Sequence, residues 1–150
     1  MMNRTLPIVL LAVLGLSACG GVDPDSPLGK RQAIFKDLLR TGEELGGMLR
    51  GRLGFDARRF AAGAVRLDEL ARQPWQHFPQ VREAGGDSAA RDAVWQRQER
   101  FRQLAGDLER STASLVAATA VPPLEPKALA PSMQRVEDAC AACHREFRAY

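Results

Sequence analysis

The 150-residue chain is 45% hydrophobic and carries 21 basic against 18 acidic residues, a net charge of +3. That length holds one modest domain, so a multidomain enzyme is excluded, and the hydrophobic content excludes a disordered tail protein. The charge balance is too even for the concentrated basic face of a nucleic-acid binder. Aromatic residues make up 6% with a single Tyr, which leaves no platform for stacking bases. Three cysteines are too few for a disulfide scaffold.

The chain opens as an export signal. Arg4 supplies a basic start, and residues 6–16 form an apolar run of 11 residues, against the roughly 20 that a membrane span needs. The run ends in Leu16-Ser17-Ala18-Cys19 with Gly20 and Gly21 behind it. This pattern resembles a bacterial lipobox, in which Cys19 is lipidated and becomes the new N-terminus. An ordinary signal peptide followed by a chance Cys is the alternative. Residues 1–18 are therefore expected to be a signal and residues 19–26 a lipid-anchored tether. Gly20 and Gly21 lack the acidic residue associated with inner-membrane retention, which points to the outer membrane. Export also places the remaining cysteines in an oxidising compartment.

Beyond residue 26 apolar residues recur at spacings of three and four, never two, which predicts helices and no strand. Ser26 is expected to cap a first helix with Pro27 in its first turn. Its apolar face runs through Leu28, Phe35, Leu38, Leu45, Met48 and Leu49, with Gly46 and Gly47 weakening the far end. Gly54-Phe55-Asp56 makes a turn, and Asp56 caps a second helix with the stripe Phe60, Ala64, Leu67 and Leu70. Pro74 and Pro79 bound an irregular loop that continues through Gly85 and Gly86. A third helix, capped by Asp87 or Ser88, carries Val94, Gln98, Phe101, Ala105, Leu108, Thr112 and Leu115. After Pro122, Pro123 and Pro126, a last helix carries Leu129, Met133, Val136, Cys140, Cys143 and Phe147. Four amphipathic helices with short links imply an all-α, antiparallel four-helix bundle over residues 27–150, able to hold a cofactor between facing helices.

One motif carries strong chemistry. Cys140-Ala141-Ala142-Cys143-His144 is a CxxCH. Positions three apart share a helical face, so the two thiols can form paired thioethers to the vinyl groups of one haem, with His144 beside them to ligate iron. Three other readings are weaker. A structural zinc site needs two more Cys or His ligands, and only His77 and Cys19 remain. A thioredoxin-like CxxC follows a strand, and none is expected here. A disulfide between residues three apart on a regular helix is strained.

A CxxCH near the C-terminus of an exported four-helix chain resembles the class II cytochromes c, the cytochrome c′ family that includes the low-spin c-556 proteins. Smaller features fall in the family's order. Arg31-Gln32-Ala33-Ile34-Phe35 is similar to its first-helix opening, and Pro74-Trp75-Gln76-His77-Phe78 to its Pro-Trp-x-x-Phe loop. Gly85-Gly86-Asp87 with Trp95 resembles the entry to its third helix, and Phe147-Arg148 its aromatic-basic ending. The departures are the lipobox and a Gly-rich stretch from Gly42 to Gly54, which bears on whether the family's helix-packed homodimer forms.

The resemblance implies one covalently attached haem c, with His144 as axial ligand, and it assigns the distal face to the residue four after Arg31. Low-spin relatives carry Met there; this chain has Phe35, which has no lone pair to give. Met133 is 11 residues before His144 on the same helix, about 16 Å along the axis, and Met48 is 13 residues past Phe35, some 20 Å away. A five-coordinate, high-spin haem with an apolar distal pocket is thereby implied, one that favours CO and NO over O₂. Arg31 is placed to pair with a propionate or to stay solvated, and Arg148 to flank the proximal imidazole, either donating to a proximally bound small ligand or staying solvated. Trp75 and Phe78 are expected over a haem edge, and His77 at the surface. The functions implied are capture of NO or CO, single-electron transfer with an unidentified redox protein, or both; the alternative is a low-spin electron carrier with a sixth protein ligand. An enzyme is disfavoured because O–O cleavage needs a distal acid–base group.

Overall fold

A computed structural model of the chain describes residues 21–82 and 88–150. The signal segment, Cys19 and the Gly85-Gly86-Asp87 entry lie outside the described residues. Helix α1 spans Pro27–Leu49, α2 Ala57–Ala71, α3 Ala93–Gln96, α4 Gln98–Ala118 and α5 Pro126–Phe147, with a 3₁₀ turn at Pro74–His77. The four long helices, α1, α2, α4 and α5, close a ring in which each packs on two others, so the fold is a four-helix bundle.

The caps follow from side-chain chemistry. Ser26 accepts the Gly29 N–H at 3.0 Å, and Pro27 occupies the first turn, where an N–H would have no partner. Asp56 accepts the Arg59 N–H at 3.0 Å. Helix α1 runs through Gly46 and Gly47 to Leu49, the end of its expected apolar face. A side chain on Gly46 would collide with the Arg50 guanidinium, which lies over it to meet Glu137 of α5 at 2.8 Å. Packing across α1 and α5 thus outweighs the low helix propensity of two glycines. The helix ends where Gly51 adopts a φ of +71°, with the Arg52 N–H returning to Gly47 O at 2.9 Å.

The third helix departs from expectation. It does not begin at Asp87 or Ser88. After the single turn of α3, Arg97 breaks the helix at φ −126° and ψ 52°, and α4 starts at Gln98. The late start of the third helix goes with a long-range pairing: Arg91 N–H donates to Phe147 O at 2.9 Å, Ala149 N–H to Ala89 O at 2.7 Å, and Ala90 bridges Arg148 antiparallel. Backbone groups held by the C-terminal segment cannot also enter a helical ladder.

Two apolar clusters fill the bundle. The larger joins Leu45, Met48, Phe60, Leu67, Leu108, Leu115, Leu129, Met133 and Val136 among others. The smaller, at one end, joins Val94, Phe101, Leu104 and Phe147. Leu104 is buried where Gln98, expected in the stripe, is only half-buried. Trp75 packs against both clusters. The α1 N-terminus, the 3₁₀ turn, α3 and the α5 C-terminus meet at this end, and the CxxCH lies in the last two turns of α5.

Candidate functional site at the C-terminal end of the bundle

Because α5 is unbroken from Pro126 to Phe147, Cys140 and Cys143 sit on one face, both half-buried and both free thiols. Cys140 packs against the larger cluster and Cys143 against the smaller, so the two thiols straddle the junction that Trp75 occupies. Burial pushes both up to about 11, with Glu137 adding to the rise at Cys140 and Cys140 to that at Cys143. His144 is half-buried; loss of solvent and the nearby Arg148 cation hold it below the usual imidazole range. That favours the neutral form, the one able to ligate a metal.

An aromatic chain crosses the bundle beside this face. Phe35 of α1 meets Trp75 at 6.0 Å and Phe78 at 6.5 Å between ring centroids. Trp75 and Phe78 meet Phe101 at 5.8 and 4.9 Å, and Phe101 meets Phe147 at 5.2 Å. Every contact is edge-to-face, the arrangement the ring quadrupole favours. Trp75 and Phe78 therefore line the same apolar wall as Phe35.

The basic residues divide. Arg31 is 2% exposed. Its guanidinium donates to His77 O at 2.9 Å and to Ser88 Oγ at 3.4 Å, and lies 4.8 Å from the Phe78 ring centre. It is neither solvated nor a simple surface cation; it ties the 3₁₀ loop to α1. His77 is half-buried rather than at the open surface. Arg148 is exposed, with its backbone N–H on His144 O at 3.0 Å and its guanidinium 6.0 Å from the Tyr150 ring. Met48 and Met133 are buried in the larger cluster.

One feature escaped the sequence reading. Glu146, two residues past His144, is gripped by Arg100 at 2.7 Å and Arg97 at 3.1 Å. The Arg100 hydrogen bond leads in holding the Glu146 carboxyl below its ordinary range. Arg97 and Arg100 are three apart, and that spacing, opposite a lone acid beside the CxxCH, was the available signal.

The residues fit a c-type haem. Two thiols and an imidazole are grouped on one helix against an aromatic wall. The buried indole N–H of Trp75 has no partner among the described residues, a donor that a porphyrin propionate can satisfy. No group of three or more His, Cys, Asp or Glu among the described residues is placed to hold a metal ion.

Comparison with known proteins agrees. The sequence model of the family described as Cytochrome C′ matches residues 26–148. Cytochrome c′ of Rhodopseudomonas palustris is 26% identical over 146 residues, covering 97% of this chain and 96% of that protein. Cytochrome c-556 of Agrobacterium tumefaciens is 25% identical over 119 residues, 79% of this chain and 93% of that one. Among solved structures, cytochrome c′ of Shewanella frigidimarina superposes with a TM-score of 0.78 at 22% identity, covering 87% of this chain and all of that chain. A carbon monoxide-bound variant from Alcaligenes xylosoxidans gives 0.75 at 22% identity, with the same coverage.

Proposed function

The chain belongs to the cytochrome c′ family and carries one covalently attached haem c, and from that premise we propose that it binds NO and CO and exchanges single electrons on the periplasmic face of a bacterial membrane. Bound haem supplies an iron centre that takes diatomic ligands and cycles by one electron. Cys140 and Cys143 would hold it by thioethers, and His144 would give its imidazole nitrogen to the iron. The observation that carries the reading is Phe35, packed edge-on against Trp75 and Phe78. Its side chain offers no lone pair and no hydrogen-bond donor, so the distal side is apolar and the haem five-coordinate and high-spin. The Phe35 ring itself gives bound O₂ nothing to bond, which favours NO and CO. The likeness to Alcaligenes xylosoxidans structures that hold nitric oxide and carbon monoxide supports this.

A second reading, a low-spin electron carrier, draws on the likeness to cytochrome c-556. Against it stands the placement of Met48 and Met133 in the larger cluster.

The test is ligand binding by the ferrous protein. CO and NO should each bind, slowly in the wild type because the Phe35 ring must move in a close-packed interior. Phe35→Ala should raise the CO on-rate. Absence of any CO or NO complex contradicts the proposal.

A further inference from the structure

We propose that the haem-bearing end of the bundle is seated on the phospholipid headgroup surface, held there by the lipid on Cys19. The inference rests on the lipid-anchor reading and adds an orientation to it.

Chain length sets which end can reach the surface. The α1 N-terminus lies at the same end as the CxxCH, since Arg31 bonds the 3₁₀ loop and Phe35 meets its rings. The residues before α1 are fixed to it. Ser26 N–H and Oγ both donate to Asp23 O, at 3.1 and 2.6 Å, and Asp25 N–H donates to Asp23 Oδ1 at 2.9 Å. This turn packs on Gly29, where an added Cβ would lie 2.2 Å from Asp23 O. Only the four steps from Cys19 to Asp23 remain as leash, at most about 14 Å of extended chain. Helix α1 alone is about 34 Å long, so the loops at the opposite end meet the surface only when the bundle lies flat on it.

The surface at the tethered end suits headgroups. Tyr150 is 92% and Val81 77% exposed. Lys30, Arg145 and Arg148 are exposed and form no ion pair among the described residues. An exposed aromatic, an aliphatic side chain and cations together match the interfacial zone, where phosphates pair with cations and rings sit at headgroup depth.

The lipidated, haem-loaded protein in proteoliposomes containing a phospholipid with a photoreactive diazirine on its headgroup tests this. Label should concentrate in peptides covering 80–82 and 145–150, several-fold above 51–56 and 119–125. A Gly-Ser insertion of about 30 residues between Gly20 and Gly21, spanning roughly 30 Å as a coil, should erase most of the difference without touching the bundle. Equal labelling of both ends, or preference for 51–56 and 119–125, overturns the orientation while the anchor stands. A wild type that carries no lipid mass and does not float with vesicles overturns the anchor itself, and the orientation with it.

Discussion

At the scale of single residues, the site is a set of side chains with few alternative uses. Cys140 and Cys143 are thiols that burial keeps protonated, poor nucleophiles at neutral pH. In the proposed function they attach the haem, and changing both to Ser should let haem extract into acidified acetone, whereas wild-type haem stays with the polypeptide through denaturation. With Phe35 on the distal side, as proposed, Phe35→Met should convert the ferric spectrum toward low spin, read by the appearance of a sulfur-to-iron charge-transfer band. Elsewhere the residues are plain core. Phe60 is fully buried, and Phe60→Ala should cost about 3–5 kcal/mol in urea denaturation, the usual cost of emptying a large aromatic site.

At the scale of elements, helix ends are set by caps that the sequence announces. Ser26→Ala should destabilise the fold by about 1 kcal/mol, because the Gly29 N–H loses its acceptor. Asp56 adds a pH dependence. The Arg59 backbone N–H leads in holding its carboxyl below the ordinary value of 3.8. A carboxyl with a depressed folded pKa stabilises fully above its unfolded pKa and loses that contribution as pH falls through the folded one. Wild type should therefore lose stability relative to Asp56→Asn as pH drops below about 4, with no such divergence between pH 6 and 8. Parallel curves for the two proteins across the acid range would contradict this assignment. Ser26 and Asp56 were both legible because a cap is local chemistry. The late start of the third helix was not, since residues 89–91 are claimed by residues 147–149, a pairing between segments more than 50 positions apart that no helical periodicity carries. The same holds for Gly46, whose purpose is visible only once Glu137 of α5 is beside it.

For the whole molecule, the bundle and its CxxCH could be read from four apolar stripes and one motif, while the environment of the motif could not. That environment is assembled from α1, the 3₁₀ loop, α4 and the C-terminal segment. Its least local member, the Arg97–Glu146–Arg100 grip, braces the turn of α5 that carries His144 against α4. Arg31 shows the same limit. Its position in the sequence suggested a propionate or solvent, and the fold gives it the His77 carbonyl and the Phe78 face. These supports make one claim about the assembled protein: an imidazole from α5 on one side of the iron and the Phe35 ring in place of a ligand on the other. The ferric absorption spectrum of the purified, haem-loaded protein tests that claim most directly. The account predicts a high-spin spectrum without a sulfur-to-iron charge-transfer band; a low-spin spectrum would show that Met48, His77 or a Lys reaches the metal, and would contradict it.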